Sequence, residues 1–185
     1  MSKIFCIGFQ KTGTTSMGSA LDILGYRVAG DIGMMDRDIA QKVITKACRI
    51  VPNYDAFKDN PWPIIFKDLD KLFPNSKFIL TVREPSSWIE SVVRHFGSRE
   101  IPMRKWIYGV GSPLGNEEVY LRRYSEHNSD VLNWFAQRPD DLLVMNLSLG
   151  DNWEKLCPFL GREILSQPFP YLNKGRTQAQ DQIMS

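Results

Sequence analysis

The 185-residue chain lacks any long hydrophobic run, and no apolar stretch approaches the roughly 20 residues that cross a bilayer. It has no large charge excess either, because 23 lysines and arginines stand against 21 aspartates and glutamates, a net charge of +2. That balance argues against nucleic-acid binding, which usually needs a strongly basic face. The amino terminus lacks the apolar stretch of a signal peptide. We therefore expect a cytoplasmic protein with no membrane span and no nucleic-acid partner.

Cysteine is scarce, and the three present, Cys6, Cys48 and Cys157, are odd in number and far apart. They predict reduced core residues rather than a disulfide framework. The chain also lacks internal repeats and linker-like stretches, so we expect a single domain over residues 1–185. With 43% of its residues hydrophobic, a chain of this length can bury one sizeable core.

Short apolar strands alternate with helical patterns, and this alternation predicts crossover connections between parallel strands. Such a sheet is covered by helices on both faces, so we expect an α/β fold of three layers with a central parallel sheet. Strands are predicted at residues 3–8, 26–29, 77–82 and 142–145. Helices are predicted over 17–24, 36–48, 64–73, 117–137 and 151–160, and another begins at Pro85. Two segments with several prolines or glycines are predicted as loops, 51–63 and 98–115, and the second is expected to be mobile and could include a short helical turn.

A loop of glycine, threonine and lysine follows the first predicted strand and opens the first helix. Residues 8–16 read GFQKTGTTS, which matches the phosphate-binding pattern G-x-x-x-x-G-K-[ST] except that Thr14 stands where the lysine belongs. A lysine is present three residues earlier, as Lys11. Gly8 and Gly13 permit a tight path, so the backbone amides and the positive end of the helix dipole can bind an anion. The candidate ligands of this loop are Gln10, Lys11, Thr12, Gly13, Thr14, Thr15 and Ser16.

The displaced lysine bears on the chemistry. In nucleotide hydrolases and kinases, a lysine and Mg²⁺ neutralise the β and γ phosphates, and an acidic strand end helps to hold the metal. The comparable strand here, residues 142–145, is followed by Asn146 rather than by aspartate. We therefore expect metal-independent transfer from an anionic donor. A kinase or NTPase on the same loop is the second hypothesis, and a non-catalytic nucleotide-binding protein is the third.

A second candidate anion site lies at the end of the strand predicted to be central. Arg83 ends that strand, and Ser91 follows eight residues later in the next helix. A guanidinium and a hydroxyl converging on one anion would suit a phosphate monoester. Together, residues 8–16 and the stretch 81–91 resemble the two nucleotide-binding motifs of the sulfotransferases. Further similarities to a short soluble sulfotransferase-like subgroup extend the resemblance over most of the chain: Tyr54–Phe57, Trp88, Tyr124–Asn128, Arg138–Pro139 and Trp153–Cys157.

The resemblance implies a P-loop-containing fold and a donor, 3′-phosphoadenosine 5′-phosphosulfate (PAPS), which leaves adenosine 3′,5′-bisphosphate (PAP) as product. The loop with Lys11 would grip the 5′-phosphosulfate, and Arg83 with Ser91 the 3′-phosphate. The implied reaction moves a sulfuryl group to a hydroxyl or amine of a small-molecule or glycan acceptor, with Lys11 stabilising the leaving phosphate. A further segment looks like the lysine-glycine-arginine loop that closes over the 3′-phosphate in family members: Lys174, Gly175 and Arg176.

The transfer also needs a general base. Small-molecule members of the family place a catalytic histidine in a loop before the central strand, but the comparable residues 58–61 contain none. Asp59 lies in that stretch and is the first candidate. Asp31, where other branches have a glutamate, is the second. His95 follows Ser91 by four residues on the same helix face, which makes it a third.

Other side chains are interpreted from general tendencies. His127 lies mid-helix and is expected to make a structural hydrogen bond rather than to take part in catalysis. The tryptophans are expected mostly in the core, although Trp62 and Trp106 lie in predicted loops and could instead stack on an acceptor. The predicted mobile loop carries three cations, Arg99, Arg104 and Lys105, which we expect at a solvated rim. Any of them that face the cleft would favour an acidic acceptor.

Overall fold

The computed structural model describes residues 2–172 of the chain. Its sheet consists of β1 (Ile4–Cys6), β2 (Val28–Ala29), β3 (Ala56–Phe57), β4 (Lys77–Thr81) and β5 (Leu142–Met145). All neighbours are parallel, in the order β2-β3-β1-β4-β5. Seven α-helices occur within the described residues: α1 (Thr14–Ile23), α2 (Ile39–Ile50), α3 (Phe66–Leu72), α4 (Pro85–Phe96), α5 (Pro102–Tyr108), α6 (Glu117–Phe135) and α7 (Trp153–Phe159). Between residues 2 and 172, no helix has the length and apolar character needed to cross a membrane.

Alternate side chains of β1 enter two separate cores. Phe5 and its register partner Phe78 belong to a core that is rich in aromatic rings and is covered by α2 to α6. Cys6 and its register partner Ile79 belong to a second core, covered by α1 and α7. Both faces of the sheet are therefore buried, which explains why β1 and residues 78–80 of β4 are continuously apolar. The predicted three-layer α/β fold is confirmed.

Two segments that were predicted as loops contain regular structure. The stretch 51–63 includes β3, which pairs with both β1 and β2 but is too short to show an alternating pattern. The stretch 98–115, predicted as a mobile loop that could include a short helical turn, contains the seven-residue helix α5, whose residues Met103 and Ile107 are buried in the first core. Proline at the first position and a left-handed Gly109 after the last bound this helix rather than interrupt it.

Several single-residue expectations can also be compared with the structure. His127 makes the expected structural hydrogen bond, its Nε2 donating to the carbonyl oxygen of Ile7 at 2.7 Å. Trp62 is fully buried, and its Nε1 donates to the Gly30 carbonyl oxygen at 2.8 Å, so the expected core position is confirmed and the alternative of stacking on an acceptor is excluded. Cys48 is exposed on α2, against the prediction of a core position, whereas the other two cysteines are buried.

The chain leaves β1 through an unusually close contact with β4. A Cβ on Gly8 would stand 2.1 Å from Oγ1 of Thr81 and 2.3 Å from its carbonyl oxygen. Ile7 meanwhile continues the ladder, its amide donating to the Ile79 carbonyl at 2.8 Å. Glycine is therefore required for the loop after β1 to begin against the end of β4.

We predict that Gly8→Ala destabilises the fold by about 1 to 3 kcal/mol, because the added methyl group overlaps backbone atoms of Thr81 that cannot yield cheaply. Urea unfolding measures this change. Gly30→Ala is the matched control, since a Cβ there meets no atom within 4 Å and the backbone is not in the left-handed region. Equal loss of stability in the two variants would contradict the close-contact argument.

Candidate functional site

A cleft of about 960 Å³ opens at the carboxyl edge of the sheet, where the segments that follow all five strands meet. Ligands of parallel α/β sheets bind at this edge. Every catalytic or donor-binding candidate that lies within residues 2–172 lines the cleft: Gln10, Lys11, Thr12, Gly13, Thr14, Thr15, Ser16, Asp31, Asp59, Arg83, Ser91 and His95. The remaining candidates lie outside the described residues: Lys174, Gly175 and Arg176.

The loop between β1 and α1 turns through two residues in the left-handed region, Lys11 with φ 69° and Gly13 with φ 103°. A Cβ on Gly13 would also stand 2.7 Å from Cδ1 of Leu147. Within the described chain, no side chain caps α1. The first turn of α1, which lines the cleft, therefore offers unpaired amides and the positive end of the helix dipole to an anion.

The four hydroxyls of the loop fall into two groups. Oγ1 of Thr12 donates to the Phe9 carbonyl at 2.6 Å and lies 2.6 Å from Oγ1 of Thr81, so it serves the loop itself. Oγ of Ser16 accepts from the amide of Leu172 at 2.8 Å and so ties α1 to the last described residue. The hydroxyls without a partner among residues 2–172 belong to Thr14 and Thr15.

Gln10 is held from three sides and lies almost entirely buried. Its Nε2 donates to the Tyr108 hydroxyl at 2.7 Å, and its Oε1 accepts from Nδ2 of Asn60 at 3.0 Å. Its carbonyl oxygen accepts from Nε1 of Trp88 at 2.9 Å. These contacts fix the loop to α5, to the segment after β3 and to α4. Sequence reasoning missed Asn60 and Tyr108, which lie 50 and 98 residues from Gln10.

Arg83 follows β4 and is anchored through its backbone. Its amide donates to the Tyr124 hydroxyl at 2.9 Å, and that hydroxyl donates to the Arg83 carbonyl at 2.8 Å. One terminal nitrogen of the guanidinium lies 3.5 Å from the Lys11 carbonyl oxygen, so Arg83 reaches the loop after β1. The buried Nε has no partner among the described residues. This donor set suits a bound phosphate oxygen.

Positive charge dominates the cleft. Lys11, Arg83, Arg94 and Arg104 all line it. Burial, followed by repulsion from Arg83 and Arg94, holds the pKa of Lys11 below the ordinary lysine range. An anion placed among these groups would replace repulsion by attraction, so the arrangement is suited to an anionic ligand. Sequence analysis had not singled out Arg94, although it lies one helical turn beyond Ser91.

The three candidate bases differ in their surroundings. Oδ2 of Asp59 accepts from Nζ of Lys58 at 2.5 Å, which leaves its second oxygen for another partner. Asp31 is exposed at the rim. Burial, followed by the charge of Lys11, lowers the pKa of His95, so its imidazole is neutral at neutral pH and able to accept a proton.

The structure thus combines a parallel α/β sheet, a loop after β1 that is suited to an anion, and a second cationic site beside that loop. Residues 3–178 match the family described as the sulfotransferase domain, and the chain therefore belongs to that family, with a function of the sulfotransferase type. A curated protein, Ava biosynthesis cluster protein M of Aspergillus versicolor, is 24% identical over 221 aligned positions, covering 92% of this chain and 80% of that protein.

The lowered pKa of Lys11 predicts a pH dependence of anion binding. A bound anion favours the charged amine and raises its pKa, so affinity should be full at lower pH and should fall as pH rises through the lowered pKa of the free protein. Titration with inorganic sulfate, which does not itself ionise in this range, measures the effect.

Lys11→Arg is the comparison, because arginine stays charged throughout that pH range. We expect this variant to bind sulfate with no such decline. Identical pH profiles for the wild type and the variant would show that Lys11 is not the titrating group.

Proposed function

We propose that the protein transfers a sulfuryl group from PAPS to a hydroxyl or amine of a small-molecule acceptor. The observation that carries the proposal is the meeting of two cationic sites in one cleft, with Arg83 within 3.5 Å of the Lys11 carbonyl oxygen. A donor with one anion on the 5′ side and another on the 3′ side of its ribose requires two such neighbouring sites. A cytoplasmic setting stays a prediction.

The division of the donor site follows from these contacts. The unpaired amides at the start of α1 would bind the 5′-phosphosulfate, with hydroxyls from Thr14 and Thr15. Arg83, with its unpartnered Nε, and Ser91 would bind the 3′-phosphate. Leu172, the last described residue, also lines the cleft. In the proposal the donor site is completed by the residues that follow it: Lys174, Gly175 and Arg176.

Transfer of a sulfuryl group develops negative charge on the leaving phosphate, so cationic groups held in place should dominate catalysis. Lys11 lies in the loop among the amides that would surround that phosphate, and it is the group proposed to stabilise the leaving oxygen. The amides and Arg83 supply the remaining positive potential. The proposal needs no metal ion for this purpose.

Asp59 is the proposed general base. Among the described carboxylates, it is the one whose charge acts on Lys11, opposing the effects that lower the pKa of that amine. Lys58 holds one of its oxygens at 2.5 Å and thereby orients the side chain, while the second oxygen remains for an acceptor hydroxyl. His95 and Asp31 line the same cleft and are the alternatives.

The donor assignment predicts that PAP stabilises the wild type strongly and Arg83→Gln weakly. Loss of a charge-assisted contact to phosphate should weaken PAP binding about tenfold or more. Thermal-shift and calorimetric titrations with PAP measure both effects. Arg122→Gln is the control, since Arg122 is exposed on α6 and does not line the cleft.

Equal PAP-induced shifts in the wild type and Arg83→Gln would contradict the assignment of the 3′-phosphate. Absence of any shift in the wild type would reject PAPS as donor. Magnesium-dependent ATP turnover that PAP does not inhibit would favour a kinase instead.

The assignment of the base predicts that Asp59→Asn lowers kcat about a hundredfold, because the acceptor hydroxyl loses its proton acceptor. PAP binding should be unchanged, since the carboxylate is not proposed to touch the donor. Release of PAP from PAPS, with a panel of phenols as acceptors, measures kcat.

Asp31→Asn, which removes the other cleft carboxylate, should change kcat less than about threefold. A large loss in His95→Asn with little change in Asp59→Asn would transfer the role to the imidazole. If none of the three substitutions altered kcat, the protein would have no side-chain base among these candidates.

A further inference from the structure

A smaller cavity of about 290 Å³ adjoins the main cleft, and we call it the side lobe. Its apolar walls are Met34, Met35, Phe96 and Ile101, and its cationic members are Arg99 and Arg104. Asp31 and His95 stand where the lobe joins the main cleft, since they line both.

The side lobe is separate from the proposed donor site. None of the loop residues 10–16 lines it, and neither do Arg83 and Ser91. It opens beside His95 and Asp31, two of the three candidate bases, so it lies where an acceptor would present its hydroxyl. A cavity of about 150 Å³ suffices for a benzene molecule, so the lobe can hold one aromatic ring with a substituent.

Arg104 is the unusual member of this lobe, because it is a cation with only 2% of its surface exposed. Its Nε donates to the Gly111 carbonyl at 3.0 Å, and one terminal nitrogen donates to the Arg99 carbonyl. Its guanidinium carbon lies 4.5 Å above the centre of the Phe96 ring. These contacts fix the plane of the guanidinium at the wall of the cavity.

The charge of Arg104 has no counterion. Among residues 2–172, no carboxylate oxygen lies within 4.0 Å of its nitrogens, and its protein partners are neutral carbonyl oxygens. Burial, with a smaller contribution from the charge of Arg99, lowers the pKa of Arg104. A buried unpaired charge is costly, and such groups are ordinarily paired. A negative group in the side lobe would supply the missing partner.

We propose that the acceptor is a small hydroxy acid whose carboxylate binds Arg104 in the side lobe, while its apolar body lies against Met34, Phe96 and Ile101. This inference rests on the proposed sulfuryl transfer and adds the substrate class of the same site. The carboxylate is held by Arg104, and the acceptor hydroxyl extends from the lobe towards Asp59 and Lys11.

Affinity for acid and ester pairs tests the proposal. The protein, saturated with PAP, is titrated calorimetrically with a panel of hydroxybenzoic and hydroxyphenylalkanoic acids and with the methyl ester of each. We expect at least one acid to bind about tenfold tighter than its ester, the size of effect typical of a charge-assisted hydrogen bond. Arg104→Gln should remove this preference by weakening the acid alone.

Lys105→Gln is the matched control, because Lys105 is the next residue of α5, is exposed and lines neither cavity. It should keep the full preference for the acid. A stabilising shift with PAP shows that a variant is folded and that its donor site is intact. If Arg104→Gln fails that check, two other measurements decide the proposal. One is the comparison of acid and ester in the wild type. The other is Arg104→Lys, which keeps the charge and should keep a preference for the acid.

Equal affinity of every acid and its ester in the PAP-bound wild type overturns the proposal and leaves the proposed donor intact. An Arg104→Gln variant that still prefers the acid also overturns it. So does a variant in which acid and ester bind more weakly by the same factor, because that result would indicate that Arg104 has a structural role only. Absence of PAP binding in the wild type would instead reject the proposed function.

Discussion

The pairing of β1 with β4 is the contact on which the candidate site depends. Cys6 lies in register with Ile79, and Gly8 then passes so close to Thr81 that no side chain fits between them. The loop after β1 and the arginine after β4 consequently emerge side by side, although 72 residues separate them. Because side chains alternate along a strand, a slip of one residue would turn every side chain of β1 into the opposite core.

Around that pairing, the fold places several positive charges in one cleft, where Arg83 and Arg94 lower the pKa of Lys11 after burial. The anchor beneath Arg83 is aromatic: Tyr124 binds both of its backbone groups and stacks on Trp88 with ring centres 4.2 Å apart. Trp88 in turn donates to the carbonyl of Gln10. Cations fixed in this way need little rearrangement when an anion arrives, which is the condition under which electrostatic stabilisation is most effective.

The two walls of the cleft come from different parts of the chain and have different chemistry. One wall is the loop after β1 together with Arg83, where backbone amides and cations suit a nucleotide. The other includes α5 and the segment around Met34, whose carbonyl oxygen accepts from the amide of Met103 at 3.3 Å. Connecting segments vary more freely than the strands they join, so under the proposed function the second wall can change the acceptor while the first keeps the donor.

Sequence alone determined the fold class, the loop of residues 8–16 and the position of Arg83 at a strand end, because each of these follows from local periodicity or from a short motif. For α5 it indicated no more than a short helical turn, because the flanking prolines and glycines are typical of a loop. It did not reveal β3, because a strand of two residues shows no alternating pattern. Only the tertiary structure brought Asp59 to Lys11, Gln10 to Tyr108 and Arg104 to an apolar cavity without a counterion. Those relations join residues far apart in sequence, and they depend on strand order and packing, which no local pattern encodes.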